Sequence, residues 1–249
     1  MTTGLRAAGI RVVLLDIEGT TTPIAFVHET LFPYARARVR SWLASRPATD
    51  PDVSAIVKGL ADELRADGRS FDPAAWDAGA GTWQLDAVVA RVNELMDADR
   101  KSRALKILQG RIWEGGYACG ELKGAVYPDV PEALERWTNA GIGVGIFSSG
   151  SVLAQKLLFA NSTAGDLTRF LRWHFDTAVG PKLDASSYRL IVQSLGVDAH
   201  AVLFISDVSR ELDAARDAGL ATLLAIRPPA TEPPVSSYPV VRSFHEIPV

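Results

Sequence analysis

The chain has 249 residues, 47% of them hydrophobic and 22% charged, with a formal net charge of -3. That is enough to bury one or two ordinary cores, and the balance excludes the basic surface that nucleic acid requires. A single cysteine, Cys119, excludes an intramolecular disulfide and fits a reducing compartment.

The first residues, Met1-Thr-Thr-Gly-Leu-Arg, lack the basic-then-apolar layout of a signal peptide. The first apolar run, Val12-Val13-Leu14-Leu15, stops at Asp16, far short of the ~20 residues of a membrane span. The expectation is a cytoplasmic, monomeric protein with no membrane and no nucleic-acid partner, in which Cys119 is a buried thiol.

Continuous apolar runs, unlike alternating ones, suit strands covered on both faces, as in a parallel sheet. Roughly 100 residues separate the first such run from the next, too many for a structureless loop. Helical spacing fills the interval. Pro33 suits the first turn of a helix through Val39, Trp42 and Leu43. Val53, Ile56, Val57, Leu60 and Leu64 form a second stripe, Leu85, Val88, Val89, Val92 and Leu95 a third, and Leu105, Leu108 and Ile112 a fourth. Residues 22–122 therefore read as a helical cap inserted over the mouth of the sheet. Gly115-Gly116 and Gly120 near its exit serve either a hinge or simple turns.

Beyond the insertion, strands and helices alternate. The strands are Gly143–Phe147, His174–Val179, Val202–Ile205 and Thr222–Ile226. The helices are Pro131–Ala140, Val152–Ala160, Tyr188–Leu195 and Arg210–Ala218, three of them stopping at Gly141, Gly196 and Gly219. This is the pattern of an α/β fold, a doubly wound parallel sheet built from residues 1–21 and 123–249. The tail, with Pro228, Pro229, Pro233 and Pro234, is expected to wrap the surface.

Four strand ends carry polar residues. Asp16-Ile-Glu18-Gly-Thr places two carboxylates on one side of extended chain, with Ile17 turned to the core and Gly19 allowing a sharp exit. Two such anions need a compensating cation or a shared proton. Ser148-Ser149-Gly-Ser151 opens a helix and reads either as an anion site or as plain capping. Lys182 is either a surface charge or the cation of the same crevice. Asp207, in Ser206-Asp-Val-Ser-Arg-Glu211, is either a metal carboxylate or a helix N-cap. Right-handed crossovers bring the ends of parallel strands to one edge, where clustered carboxylates suit a hard cation such as Mg²⁺. No P-loop, no G-x-S-x-G elbow and no zinc spacing among the four histidines occurs.

In this order the motifs resemble the haloacid dehalogenase superfamily of aspartyl phosphatases. More narrowly, the chain resembles the enolase-phosphatase (acireductone synthase) family of methionine salvage. The matching stretches include Asp16-Ile-Glu-Gly-Thr-Thr-Thr-Pro-Ile, Leu31-Phe-Pro-Tyr, Gly120-Glu-Leu-Lys, Ser148-Ser-Gly-Ser-Val, Lys182 and Ser206-Asp-Val-Ser-Arg-Glu. They run through nearly the whole chain, insertion included. Most superfamily phosphatases carry Asp at the Glu18 position, and Glu there is what the enolase-phosphatases look like.

The resemblance implies a haloacid dehalogenase-like core with an α-helical cap and a phosphorylated diketone substrate. It implies Asp16 as nucleophile and Glu18 as general acid and base. Ser148, Ser149 and Lys182 would bind the phosphoryl group, with Mg²⁺ at Asp16, Asp207 and Glu18, the last through its backbone carbonyl. The base for enolisation stays open among Glu18, His28, Glu29 and residues of the insertion. A general sugar-phosphate phosphatase or phosphomutase shares every core motif and differs in the cap. A non-catalytic phosphate-binding module is the alternative from another class.

Overall fold

In the computed structural model, residues 4–69, 83–100, 102–229 and 238–249 are described. The chain divides into two compact units, Met1–Val27 with Lys123–Val249, and His28–Leu122.

The first unit is built on a six-stranded, all-parallel sheet of order β3-β2-β1-β4-β5-β6. The strands are β1 (Val12–Leu15), β2 (Gly143–Phe147), β3 (Trp173–Phe175), β4 (Val202–Ser206), β5 (Ala221–Ala225) and β6 (Val240–Val241). The central strand shows why the run is continuously apolar. Val13 and Leu15 enter one core with Trp137, Phe159 and Phe244, while Val12 and Leu14 enter another with Phe147, Tyr188 and Phe204. At ~25 cal/mol per Å² of apolar surface, each such side chain contributes about 2 kcal/mol on burial. The one-turn α1 (Ile24–Phe26) follows β1, and the helices α6 (Val130–Asn139), α7 (Val152–Ala160), α8 (Ala185–Leu195) and α9 (Ser209–Asp217) connect the strands.

Register fixes the level of the strand ends. Leu15 pairs with Ile146 on one side and Ile205 on the other. Asp16 therefore leaves the sheet one residue before Ser148 and Asp207 leave their own strands. This is the carboxyl edge, and β1 sits where the strand order reverses.

Two expectations are corrected and one element is added. The strand expected over His174–Val179 is only Trp173–Phe175, because the Asp176 side chain accepts from Ala178 N (2.8 Å) and its carbonyl accepts from Val179 N (3.1 Å), closing a turn. The short strand β6 pairs Val240 with Leu224 and Val241 with Ala225, a pairing not read from the sequence. Cys119 is exposed, since it ends the helix Arg103–Ala118 beyond the buried face formed by Leu105, Leu108 and Ile112. Pro233 and Pro234 lie outside the described residues.

The second unit is helical: α2 (Phe32–Ala44), α3 (Pro51–Ala66), α4 (Leu85–Asp97) and α5 (Arg103–Ala118). Pro33 sits in the first turn of α2, and Asp50 caps α3 by accepting from Asp52 N and Val53 N. Gly115 and Gly116 lie inside α5, and a Cβ on Gly116 would meet the Tyr34 ring at 2.6 Å, so glycine there permits close packing. Among the described residues no helix is long and apolar enough to cross a membrane.

Candidate active site

Asp16 follows β1, its N–H donating to Ile205 O (3.0 Å) and its side chain almost fully buried. The chain then folds onto one carbonyl: Ile17 O accepts from the N–H groups of Thr20 (3.2 Å), Thr21 (2.9 Å) and Thr22 (2.9 Å). Thr21 Oγ1 also donates to Asp16 O at 3.2 Å. Gly19 has φ +70, and a Cβ there would overlap the Asp207 carboxylate. Only glycine meets both demands. Glu18 is half-buried and bridges to Thr22.

Lys182 reaches this point from the loop after β3. Its Nζ donates to Asp16 Oδ1 at 2.6 Å and lies 2.6 Å from Glu211 Oε2, with 9% of the side chain exposed. Its own carbonyl accepts from Tyr188 Oη (2.8 Å), whose ring is packed between Phe147 and Phe204. Glu211, in the first turn of α9, also accepts from Ser206 Oγ at 2.9 Å. Burial works to lower the Lys182 pKa, but the Asp16 and Glu211 carboxylates outweigh it and hold the ammonium above its ordinary value. Burial, and then the charge of Asp16, raise the Glu211 carboxyl.

Asp207 follows β4 beside this cluster. It does not cap α9: Val208 holds that position, and Ser206 Oγ accepts the Val208 N–H at 3.1 Å. Asp207 Oδ1 is buried without a hydrogen-bond partner. Burial first, and the Asp16 charge second, push its pKa up to about 7. A buried carboxylate oxygen facing a second carboxylate is the donor chemistry of a hard cation, so these residues fit Mg²⁺. Among the described residues no three His, Cys, Asp or Glu side chains form a metal cluster. A cavity of about 450 Å³ bordered by Gly19, Asp207, Tyr127 and Pro228 gives Asp207 a route to solvent.

Ser148 and Ser149 follow β2, the strand that pairs with β1. Ser148 is buried, its N–H donates to Phe175 O (3.2 Å), and its Oγ accepts from Gly150 N (3.2 Å). Ser149 is half-buried. Capping of α7 falls to Ser151, whose Oγ accepts from Ala154 N. The loop is braced by buried Gln155, which donates to Gly150 O (2.9 Å) and Phe175 O (2.8 Å).

The fold thus brings Asp16, Lys182 and Glu211 into direct contact, sets Asp207 in their field, and places Ser148 and Ser149 after the neighbouring strand β2. His28 and Glu29 belong to the other compact unit, where both are exposed and the His28 ring meets Phe32 edge-on at 5.4 Å. Sequence reasoning missed Ser206, Tyr188, Gln155 and the buried Arg227–Asp129 pair, which carry no spacing signal. Ser206, Tyr188 and Gln155 bond to residues five or six positions away, while Arg227 and Asp129 stand 98 positions apart.

A family model, haloacid dehalogenase-like hydrolase, matches residues 10–219. The chain is 47% identical over 238 residues to the enolase-phosphatase E1 of Synechococcus elongatus, covering 96% of this chain and 98% of that protein. It is 45% identical over 238 residues to the enolase-phosphatase E1 of Klebsiella oxytoca, covering 96% of each. Among solved structures, the UTR4 protein (unknown transcript 4 protein) of Saccharomyces cerevisiae is similar at 35% identity and a TM-score of 0.76, over 95% of this chain and 99% of that one.

Proposed function

The chain belongs to the enolase-phosphatase E1 family of haloacid dehalogenase-like hydrolases, and we propose that it converts 2,3-diketo-5-methylthiopentyl-1-phosphate to acireductone in methionine salvage, in the cytoplasm. The observation that carries this reading is the buried Asp16–Lys182–Glu211 contact beside Asp207, at the carboxyl edge of the sheet. We take residues 22–122 as the helical cap inserted into that phosphatase core.

The carbon bearing the phosphate ester is α to a ketone, so its C–H is acidic. Enolisation moves that proton to a carbonyl oxygen. Asp16 then attacks phosphorus, a P–O bond to Asp16 forms, and the P–O bond to the enol oxygen breaks. Glu18 gives its proton to the departing oxygen. As a carboxylate it next takes a proton from water, whose oxygen attacks the aspartyl-phosphate and releases inorganic phosphate and Asp16. Glu18 is half-buried and starts the turn at Gly19, which suits a group that changes protonation twice per cycle.

Lys182 holds Asp16 in place and, with Ser148 and Ser149, offers charge and hydrogen bonds to the phosphoryl oxygens. Mg²⁺ bound by Asp16, Asp207 and the Glu18 carbonyl would neutralise charge on the phosphoryl oxygens.

The test is a paired assay on the diketo phosphate, reading enediol absorbance and phosphate release. Both signals are expected from the native protein with Mg²⁺, and phosphate release is lost in Asp16→Asn. Turnover confined to sugar phosphates would reject the substrate, and unchanged phosphate release by Asp16→Asn would reject the mechanism.

A further inference from the structure

We infer that Arg227 is a positioning residue for the reaction, acting through the carbonyl of Thr20 on the loop that carries Asp16 and Glu18; this rests on the phosphatase reading above.

Arg227 follows β5, and its side chain is 4% exposed. Its Nε–H donates to Thr20 O at 2.9 Å, and Nη1 donates to Asp129 Oδ2 (2.6 Å) and to Arg242 O (3.1 Å). The guanidinium lies 4.2 Å from the centre of the Phe244 ring and 4.8 Å from that of Tyr127. Asp129, at the start of α6, also accepts from Ser243 Oγ (3.0 Å) and from the Phe244 N–H. Tyr127 N in turn donates to Thr21 O at 2.9 Å.

Two successive carbonyls of the loop, Thr20 and Thr21, are thus tied to a platform made by the start of α6 and the C-terminal segment. The bonds onto Ile17 O and from Gly19 N to Thr22 O are internal to the turn and hold its shape rather than its direction. Direction matters here because Gly19 packs against the Asp207 carboxylate and Glu18 precedes it directly. A displacement of ~1 Å in such a group can cost ~100-fold in rate. A guanidinium presents several donors in a fixed plane, so one side chain can hold Asp129 and Thr20 O together; a lysine at this position keeps the charge but not the planar fork. A pair that served stability alone would not need the bond to Thr20.

The variants are Arg227→Lys and Asp129→Asn. Asparagine keeps an acceptor for Arg227 and leaves the Thr20 bond intact, so the two separate positioning from bracing. Each is assayed with para-nitrophenyl phosphate and Mg²⁺, and by hydrogen exchange of the peptide covering residues 16–22. Arg227→Lys is expected to be folded, to lose ~30-fold or more in kcat with KM within ~3-fold, and to exchange that peptide ~10-fold faster, the size of effect that loss of orientation gives. Asp129→Asn is expected to lower Tm while kcat and loop protection stay near native.

A folded Arg227→Lys with native kcat and native loop protection overturns the proposal. Failure of Arg227→Lys to fold also overturns it, by assigning the residue to stability. Equal loss of kcat in both variants does the same, since the Asp129 brace would then be the cause. If the native protein hydrolyses no phosphate ester yet the loop loosens in Arg227→Lys alone, the phosphatase reading fails and the positioning stands.

Discussion

Lys182→Met keeps side-chain length and removes one charge from between two buried carboxylates. The Nζ lies 2.6 Å from an oxygen of each of Asp16 and Glu211. At an effective dielectric of ~20 each contact is worth about 6 kcal/mol of attraction before desolvation. Desolvation offsets most of it, and stripping one partner from a buried pair costs ~3–5 kcal/mol net.

The sign of the pH dependence follows from the two partners. The Lys182 pKa is raised, so its contribution is fully present below the unfolded lysine value of ~10.4 and is lost only as pH rises through the folded one. The Glu211 pKa is raised above its unfolded ~4.3, chiefly by burial and then by Asp16. Without Lys182 it takes up a proton more readily, so the variant is least impaired at low pH. Expected in metal-free buffer is a Tm loss of ~6–20 °C near pH 8, shrinking toward about pH 5.5. With Mg²⁺, kcat should fall ~10²–10³-fold, the usual cost of removing one preorganised charge or donor from a developing anion. Differential scanning fluorimetry across pH, with a phosphate-release assay, reads both. A Tm within about 2 °C of native at pH 8 would refute the electrostatic reasoning, because no buried pair of this kind is so easily dispensed with.

Asp207→Asn should stabilise the metal-free protein at pH 8: its folded pKa of about 7 lies above the unfolded ~3.9, so the carboxylate withdraws stability as pH rises between them, by at most roughly 4 kcal/mol. In urea titrations the gain should vanish near about pH 4, and Mg²⁺ should raise the Tm of the native protein but not of the variant. Gly19→Ala should cost more than ~10-fold in kcat and weaken the Mg²⁺-induced Tm shift, because a methyl group at φ +70 would displace the Asp207 carboxylate; native values for both would refute the contact. The Asp129 carboxyl is held low: burial would raise it, but the Arg227 bond and the Phe244 N–H outweigh that. Its contribution is therefore present above the unfolded ~3.9 and lost as pH falls through the folded value, so Asp129→Asn should flatten the stability curve below about pH 4.

The helices and central strands were legible because each obeys a local rule. The Val12–Leu15 run, the stripe from Val53 to Leu64 in α3, and the glycines after α6, α8 and α9 declare themselves within a few residues. Asp16, Lys182 and Asp207 were legible one strand end at a time, and their meeting followed from the rule that parallel strands share a carboxyl edge. What resisted were residues defined by remote partners. Nothing near Arg227 announces Asp129, 98 positions earlier, or Thr20, 207 positions earlier. The strand β6 is two residues long, too short for any period to show. Cys119 went wrong because thiols are usually buried, while its place at the end of α5 puts it outside the packed face.

The same charges that burden the fold supply the site's chemistry. Asp16, Asp207 and Glu211 bring three carboxylates into a buried region, and Lys182 offers one positive charge against them. Left ionised, this set keeps two negative charges without compensation, and a phosphate dianion approaching Asp16 would be repelled. Protons on Asp207 and Glu211 would relieve the repulsion, but protonated carboxyls are poor ligands for a hard cation. On the proposed reading, a divalent cation held by Asp16 and Asp207 would cancel that excess, leaving Lys182 to serve both Asp16 and the incoming phosphoryl oxygens. The arrangement is thus complementary to a bound cation and a dianionic ester taken together. Burial first, and the Asp16 charge second, raise the Asp207 and Glu211 carboxyls, and a nearby cation would act in the opposite direction.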